Sequence, residues 1–120
     1  MKILIVDDSE TARFQLRKDL EIKGYQVIEG ADGIEGLNLI SENLDVQLVI
    51  SDVNMPQMDG LTMARKIHEK NDFKNMPILI MTTESTPEMK AKGKEAGVLA
   101  WVTKPYNPEK LLSAIEKILR

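Results

Sequence analysis

An α/β domain with a parallel sheet, covered on both faces by helices, is the fold this sequence predicts. Three observations predict it. Short apolar runs rich in β-branched residues recur at ILIV (3–6), QVIE (26–29), LVIS (48–51), ILIMT (78–82) and AWVT (100–103). Stretches of helical length separate them, and strands alternating with helices build a parallel sheet. The runs 48–51 and 78–81 are apolar at every step or nearly so, as strands buried on both faces are.

The elements follow in order. The first strand runs into Asp7-Asp8, and Asp8 or Ser9 can cap the first helix, which ends at Gly24. Ala12, Leu16 and Leu20, four residues apart, share one face of that helix. The second helix is expected over about 33–43, with Ile34, Leu37 and Ile40 turned inward. Asp59-Gly60 opens the third, where Leu61, Ala64 and Ile67 form the apolar stripe. Ser85-Thr86-Pro87-Glu88 opens the fourth; Ser85 and Glu88 have capping-box spacing, and Pro87 suits a first turn. Asn107-Pro108 opens the fifth, which carries Leu111, Leu112, Ile115, Ile118 and Leu119. Five strands and five helices alternate.

The totals exclude several classes of function. A chain of 120 residues without a linker or repeat makes one domain, read as 1–120 with no output domain after it. The net charge is -3 and no basic stripe is present, which argues against nucleic-acid binding. There is no cysteine, hence no disulfide and no thiolate metal site. No apolar run reaches membrane-spanning length, and the amino terminus is too short to read as a signal peptide. A cytoplasmic domain is expected.

In an open parallel sheet, chemistry sits beyond the carboxyl ends of the strands. Those ends carry Asp7-Asp8, Ser51-Asp52, Thr82-Thr83 and Thr103-Lys104-Pro105; only the second strand lacks a polar candidate. If the four strands are neighbours, three acids, a hydroxyl and a lysine meet on one edge. Carboxylates so close together repel, and a hard divalent ion such as Mg²⁺ answers that repulsion while leaving room for a phosphate oxygen. A lysine and a hydroxyl suit a phosphoryl group. With no cysteine and no Ser–His pairing, the nucleophile is a carboxylate, and attack by Asp52 on phosphorus gives an aspartyl phosphate.

DDSETAR, ISDVNMPQMDGL, PILIMTTE and VTKPYNP resemble the four motifs of the response-regulator receiver domain, over the whole chain and in order. The pattern is most similar to CheY-type single-domain chemotaxis regulators of two-component systems. The resemblance, not the periodicity, supplies the strand order 2-1-3-4-5 found in flavodoxin and CheY. It implies that Asp52 accepts a phosphoryl group. Asp8, Asp52 and the backbone carbonyl of Asn54 would bind Mg²⁺, with Asp7 holding it through water. Lys104 would pair with the phosphoryl group ahead of a cis proline, Pro105. Thr82 would turn toward the phosphoryl oxygen, and Trp101, where relatives carry Tyr, Phe or His, would swing in behind it. The face of helix four, strand five and helix five would then change for a target, and such a switch is shifted by the differential contacts that phosphorylation creates.

The implied partners are a sensor histidine kinase, a target such as the flagellar motor switch, and a phosphatase; a monomer is expected. The protein would assist its own phosphotransfer and dephosphorylation without being an enzyme toward other substrates. A phosphorelay shuttle or a phosphate sink outside chemotaxis would use the same site. The sequence departs from the pattern at Val53, where well-known chemotaxis relatives have Trp, and at Thr83, where Ala or Gly is frequent. Asn54 and Glu84 flank the site as modulators, as in fast-turnover members.

Other classes fit less well. Asp52-Val53-Asn54 superficially matches the D-x-D of Mg²⁺-dependent aspartyl-phosphate phosphatases, but Asn54 cannot act as a general acid. A flavin carrier of the same topology needs a glycine- and hydroxyl-rich phosphate loop where this chain has DDSET. Taken singly, Asp7-Asp8 reads as a solvated strand end, Lys104 as a surface lysine, Thr82 as a strand hydroxyl and Trp101 as core. His68, off the stripe of helix three, reads as solvated. Phe14 is expected to be partly exposed near the acidic edge, docking a phosphodonor or packing under a loop. Gly93 should loosen helix four.

Overall fold

The computed structural model describes residues 1–120. Five strands, β1 (Lys2–Val6), β2 (Gln26–Gly30), β3 (Val46–Ser51), β4 (Ile78–Thr82) and β5 (Ala100–Thr103), are all parallel and lie in the order β2-β1-β3-β4-β5. Five helices connect or follow them: α1 (Glu10–Ile22), α2 (Gly33–Glu42), α3 (Gly60–Glu69), α4 (Pro87–Glu95) and α5 (Pro108–Leu119). A short 3₁₀ turn, Asn71–Phe73, which the sequence reading did not anticipate, follows α3 and buries Phe73.

Strand alternation sorts the core into two halves. Ile3, Ile5, Leu48, Ile50, Leu79 and Met81 meet Leu16 and Leu20 of α1 and Leu111 and Ile115 of α5. Leu4, Val6, Val49, Ile78 and Ile80 face the other way, toward α2, α3 and α4. The same alternation aims residues beyond the strands. Asp7 and Asp52 continue the α1–α5 side, whereas Thr82 and Trp101 belong with the α3–α4 side.

The helix starts are set by local chemistry. Ser9, Asp32, Asp59 and Asn107 each accept a bond from a backbone N–H three residues on, satisfying donors that the helix leaves free. At α4 the cap is Thr86, which accepts from Met89 N, and not Ser85. Pro87 at the first helical position already fits Thr86 as cap. A second correction concerns α2: Ile34 is 43% exposed, and the inward positions are Gly33, Gly36 and Ile40, with Leu37 half-buried. The helix lies too close to its neighbours for side chains there. A Cβ on Gly33 would stand 2.6 Å from the Met58 carbonyl, and one on Gly36 2.5 Å from Met63 Sδ. His68 is also corrected: it is half-buried, with Nε2 2.8 Å from the Met76 carbonyl oxygen and its ring against Gly97.

Candidate functional site

Asp52 follows β3 directly, and its N–H donates to the Val6 carbonyl (3.0 Å), so β3 is locked beside β1 beyond the last regular residue. Gly60 closes the loop that follows. Its N–H donates to Val53 O (2.8 Å), and a Cβ there would lie 2.0 Å from the Asp52 carbonyl oxygen. Only glycine lets α3 start this close to the acidic strand end. Buried Ser51 donates its hydroxyl to the same carbonyl at 2.7 Å. Within the loop Gln57 has φ 66°, an uncommon conformation for a non-glycine residue, and Met58 N bonds back to Pro56 O at 2.7 Å in a three-residue turn.

Lys104 joins the two strand ends. Its Nζ donates to Asp7 Oδ2 at 2.6 Å and to Asp52 Oδ2 at 2.9 Å. The second oxygens are used as well: Asp7 Oδ1 accepts from Ser9 N (2.9 Å) and Asp52 Oδ1 from Val53 N (2.6 Å). The carboxylates are 12% and 15% exposed, and Lys104 is 20% exposed, so this is a half-sheltered charge group at the sheet edge. Burial pulls the Lys104 ammonium down. Its hydrogen bonds to Asp7 and Asp52, and their charges, outweigh that and hold it above the usual lysine value. The Lys104–Pro105 peptide is cis, as expected.

The remaining residues divide between the two sides of the sheet. Thr82 is 1% exposed, and its hydroxyl is only a long 3.4 Å from Glu84 N. Trp101, two positions back on the paired strand β5, sends its indole N–H to the Glu84 carbonyl at 2.9 Å. Asn54 Nδ2 donates to Glu84 Oε1 at 2.5 Å, bridging the β3–α3 loop and the β4–α4 loop. Thr83 is exposed, and Val53 is buried in the α3 core. Asp8 stands apart: it is exposed and is not drawn into the Lys104 group. The expected meeting of acids with lysine therefore involves two carboxylates, and no three acidic, histidine or cysteine groups are gathered as a metal cage.

This donor set, all oxygen and partly open to water, suits a hard cation that takes one or two carboxylates and keeps several waters. It does not suit a dedicated protein cage. A groove of about 560 Å³ leads from the acids along α1, lined by Ala12, Leu16, Asp52, Lys104, Pro105 and Tyr106. Tyr106 spans it, donating its hydroxyl to Asp19 Oδ2 at 2.6 Å. Burial, and then the Asp19 carboxylate, push the Tyr106 phenol well above its ordinary pKa.

Sequence reasoning missed four contributing residues. Gly60 carried a signal in its Asp-Gly pair but was read only as a helix start. Arg13 and Glu29 meet through Nε and Oε1 at 3.1 Å, a pairing between the first helix and the strand thought to lack a functional group. Ser51 was read only as a strand end.

Comparison with known proteins agrees with this geometry. The family described as response regulator receiver domain matches residues 3–116. Chemotaxis protein CheY1 of Helicobacter pylori strain J99 is 37% identical over 120 residues, covering 99% of this chain and 97% of that one. The sensor histidine kinase CheAY of H. pylori strain 26695 is 33% identical over 119 residues, covering 98% of this chain but 15% of the kinase. Among solved structures, Vibrio cholerae chemotaxis protein CheY4 superposes with a TM-score of 0.93 at 40% identity, over 98% of each chain. With a family match across nearly its whole length and the strand order and CheY-like neighbours to go with it, the chain belongs to the receiver-domain family of response regulators.

Proposed function

We propose that this protein is a phosphorylation-controlled binding switch in which Asp52 accepts a phosphoryl group from a histidine kinase. The observation that carries the reading is Lys104 Nζ held between Asp7 and Asp52. An ammonium placed there offsets the repulsion between the two carboxylates at rest and can follow the charge onto a phosphoryl oxygen. In transfer, an Asp52 oxygen forms the bond to phosphorus while the bond from phosphorus to the donor imidazole nitrogen breaks, and that nitrogen leaves with the electron pair. Asp8, Asp52 and the Asn54 carbonyl would hold Mg²⁺, with Asp7 acting through water. The ion supplies charge neutralisation for the phosphoryl oxygens. Phosphotransfer and hydrolysis serve the signal, so no turnover of free phosphomonoesters is expected.

Thr82 and Trp101 are suited to pass the change outward. The Thr82 hydroxyl has no short bond holding it, and Trp101 lies on the same side of the sheet with its N–H tied to the loop between them. The α4–β5–α5 face would present the result to a target. Likeness to proteins named for chemotaxis favours a target in that pathway, for which a flagellar motor switch component is the first candidate; a cytoplasmic setting and a monomer are expected. The second reading, a phosphate sink or shuttle, is favoured by the receiver segment within a histidine kinase that this chain resembles. Phe14, 66% exposed on α1, is suited to docking the donor; Phe14→Ala should slow transfer without loss of stability.

The test is Trp101 fluorescence on adding Mg²⁺ and then acetyl phosphate, with Asp52→Asn as control and mass spectrometry for the adduct. A Mg²⁺-dependent change and a phosphoryl adduct, both absent in Asp52→Asn, are expected. No adduct on the unmodified protein would leave a receiver fold that binds partners without phosphorylation.

A further inference from the structure

We infer that Arg13 is a positioning residue for the acidic edge, acting through the peptide that joins Asp7 to Asp8. Arg13 is long and charged, yet its side chain is only 17% exposed. It makes two directed contacts. Nη1 donates to the Asp7 carbonyl oxygen at 2.5 Å, and Nε donates to Glu29 Oε1 at 3.1 Å. A guanidinium serves two such acceptors at once because its donors form a rigid planar fork.

Asp7 is thereby held on every polar atom. Its N–H donates to Gly30 O (3.1 Å), its carboxylate takes Ser9 N and Lys104, and its carbonyl takes Arg13. Asp8 is different. It is exposed and outside every ion pair, so its placement rests on the backbone. The Asp7 carbonyl belongs to the planar peptide leading into Asp8. Holding that oxygen fixes the plane, and with it the direction in which Asp8 leaves the strand. Glu29 anchors the guanidinium from β2 and is itself paired with Arg17 Nη1, so removing Arg13 does not strand the Glu29 carboxylate.

Two roles for Arg13 predict opposite signs. As a mere positive charge beside a cation site, it repels the ion, and its removal tightens binding. As a positioning residue, its removal weakens binding although a repelling charge has gone. The inference rests on the proposed divalent-cation site, so the experiment tests the two separately. Mn²⁺ is titrated into the full chain, and free Mn²⁺ is read by electron paramagnetic resonance, for the unmodified protein, Asp8→Asn, Arg13→Met and Lys18→Met. Lys18→Met removes an exposed positive charge from the same helix outside these contacts.

The unmodified protein should bind and Asp8→Asn should not. Arg13→Met should bind about tenfold more weakly, the low end of what partners of metal ligands contribute, and Lys18→Met should match the unmodified protein. If circular dichroism shows Arg13→Met unfolded, Arg13→Lys, whose single nitrogen lacks the planar fork that reaches the two acceptors from separate atoms, should show the same direction of change. Equal or tighter binding by a folded Arg13 variant overturns the positioning role alone. Absence of binding by the unmodified protein, or binding indifferent to Asp8→Asn, removes the cation-site reading and this inference with it.

Discussion

Helices α3 and α4 pack on the same side of the sheet but are held very differently. Helix α3 buries Gly60, Leu61, Met63, Ala64 and Ile67, whereas α4 buries Gly93 alone. The strands beside them follow suit: all five residues of β4 are buried, and no residue of β5 is. Asp52 is thus set on the well-packed part of the molecule, and the Trp101 strand on the shallow part. Local stability tracks buried apolar contact, so rearrangement is cheaper around α4 and β5. The proposed switch would benefit from this division, because its chemistry would need fixed atoms and its output movable ones.

The division can be broken most severely at Gly60. In Gly60→Ala the new Cβ meets a backbone oxygen at 2.0 Å, and neither α3 nor the Asp52 peptide can yield cheaply. A loss of about 3 kcal/mol in denaturant unfolding is expected, at the upper end of overpacking effects, together with loss of the phosphoryl adduct. Next comes Lys104→Met, which leaves Asp7 and Asp52 facing each other without a cation. Breaking a fully buried pair costs about 3–5 kcal/mol, and partial exposure here lowers the expectation to about 2 kcal/mol. Added Mg²⁺ should recover part of that loss in thermal melts, and no recovery would count against cation binding at this edge.

Smaller again is Tyr106→Phe, which cuts the tie from the β5–α5 loop to Asp19. A loss of about 1 kcal/mol is expected near neutral pH, modest because the pair is part-exposed. Its pH dependence has a definite sign. The folded Tyr106 pKa is raised, so the folded protein keeps a proton that the unfolded tyrosine gives up above about pH 10. The tie is therefore at full strength below that pH and fades above it. The raised Lys104 pKa acts in the same direction and window. Unfolding free energies of the unmodified protein and Tyr106→Phe should converge as the pH rises past about 10. A gap that stays constant would mean that the phenol does not titrate with folding.

What was legible in the sequence was what local chemistry decides. Ser9, Asp59 and Asn107 announce helix starts because a short polar side chain satisfies free backbone donors within three residues. The strand ends announced Asp7, Asp52, Thr82 and Lys104, since alternating elements leave few other places for polar groups to meet. The misses depend on approach between distant segments. Ile34 was expected inside because it is apolar at a helical spacing, but Gly33 and Gly36 hold the contact instead. Arg13–Glu29 and Tyr106–Asp19 join residues 16 and 87 positions apart, and nothing in the intervening sequence marks either pair. Asp7 and Asp8 were given different roles by resemblance alone; the alternation carried on from the strand turns Asp7 toward Lys104 and leaves Asp8 exposed, a difference that adjacency in sequence does not show.

The smallest expected effect on stability is also the sharpest test of the contrast between α3 and α4. Gly93→Ala makes the same chemical change as Gly60→Ala in the other helix. Here the new Cβ would stand 2.8 Å from Trp101 Cζ3, the outer edge of a side chain and not a backbone atom. The indole can tilt, because Trp101 is only half-buried and one hydrogen bond, to the Glu84 carbonyl, holds its N–H. Against that strain, alanine gains up to about 1 kcal/mol of helix propensity over glycine. The two terms nearly cancel, so unfolding free energy should change by less than about 1 kcal/mol. The effect should appear elsewhere: a shifted Trp101 emission maximum, and slower amide exchange in α4, which in the unmodified protein should exchange faster than α3. If Gly93→Ala were instead as damaging as Gly60→Ala, the ring would be as immovable as a backbone carbonyl. Trp101 would then be part of the rigid core, and the path from Thr82 outward would have to run through another residue.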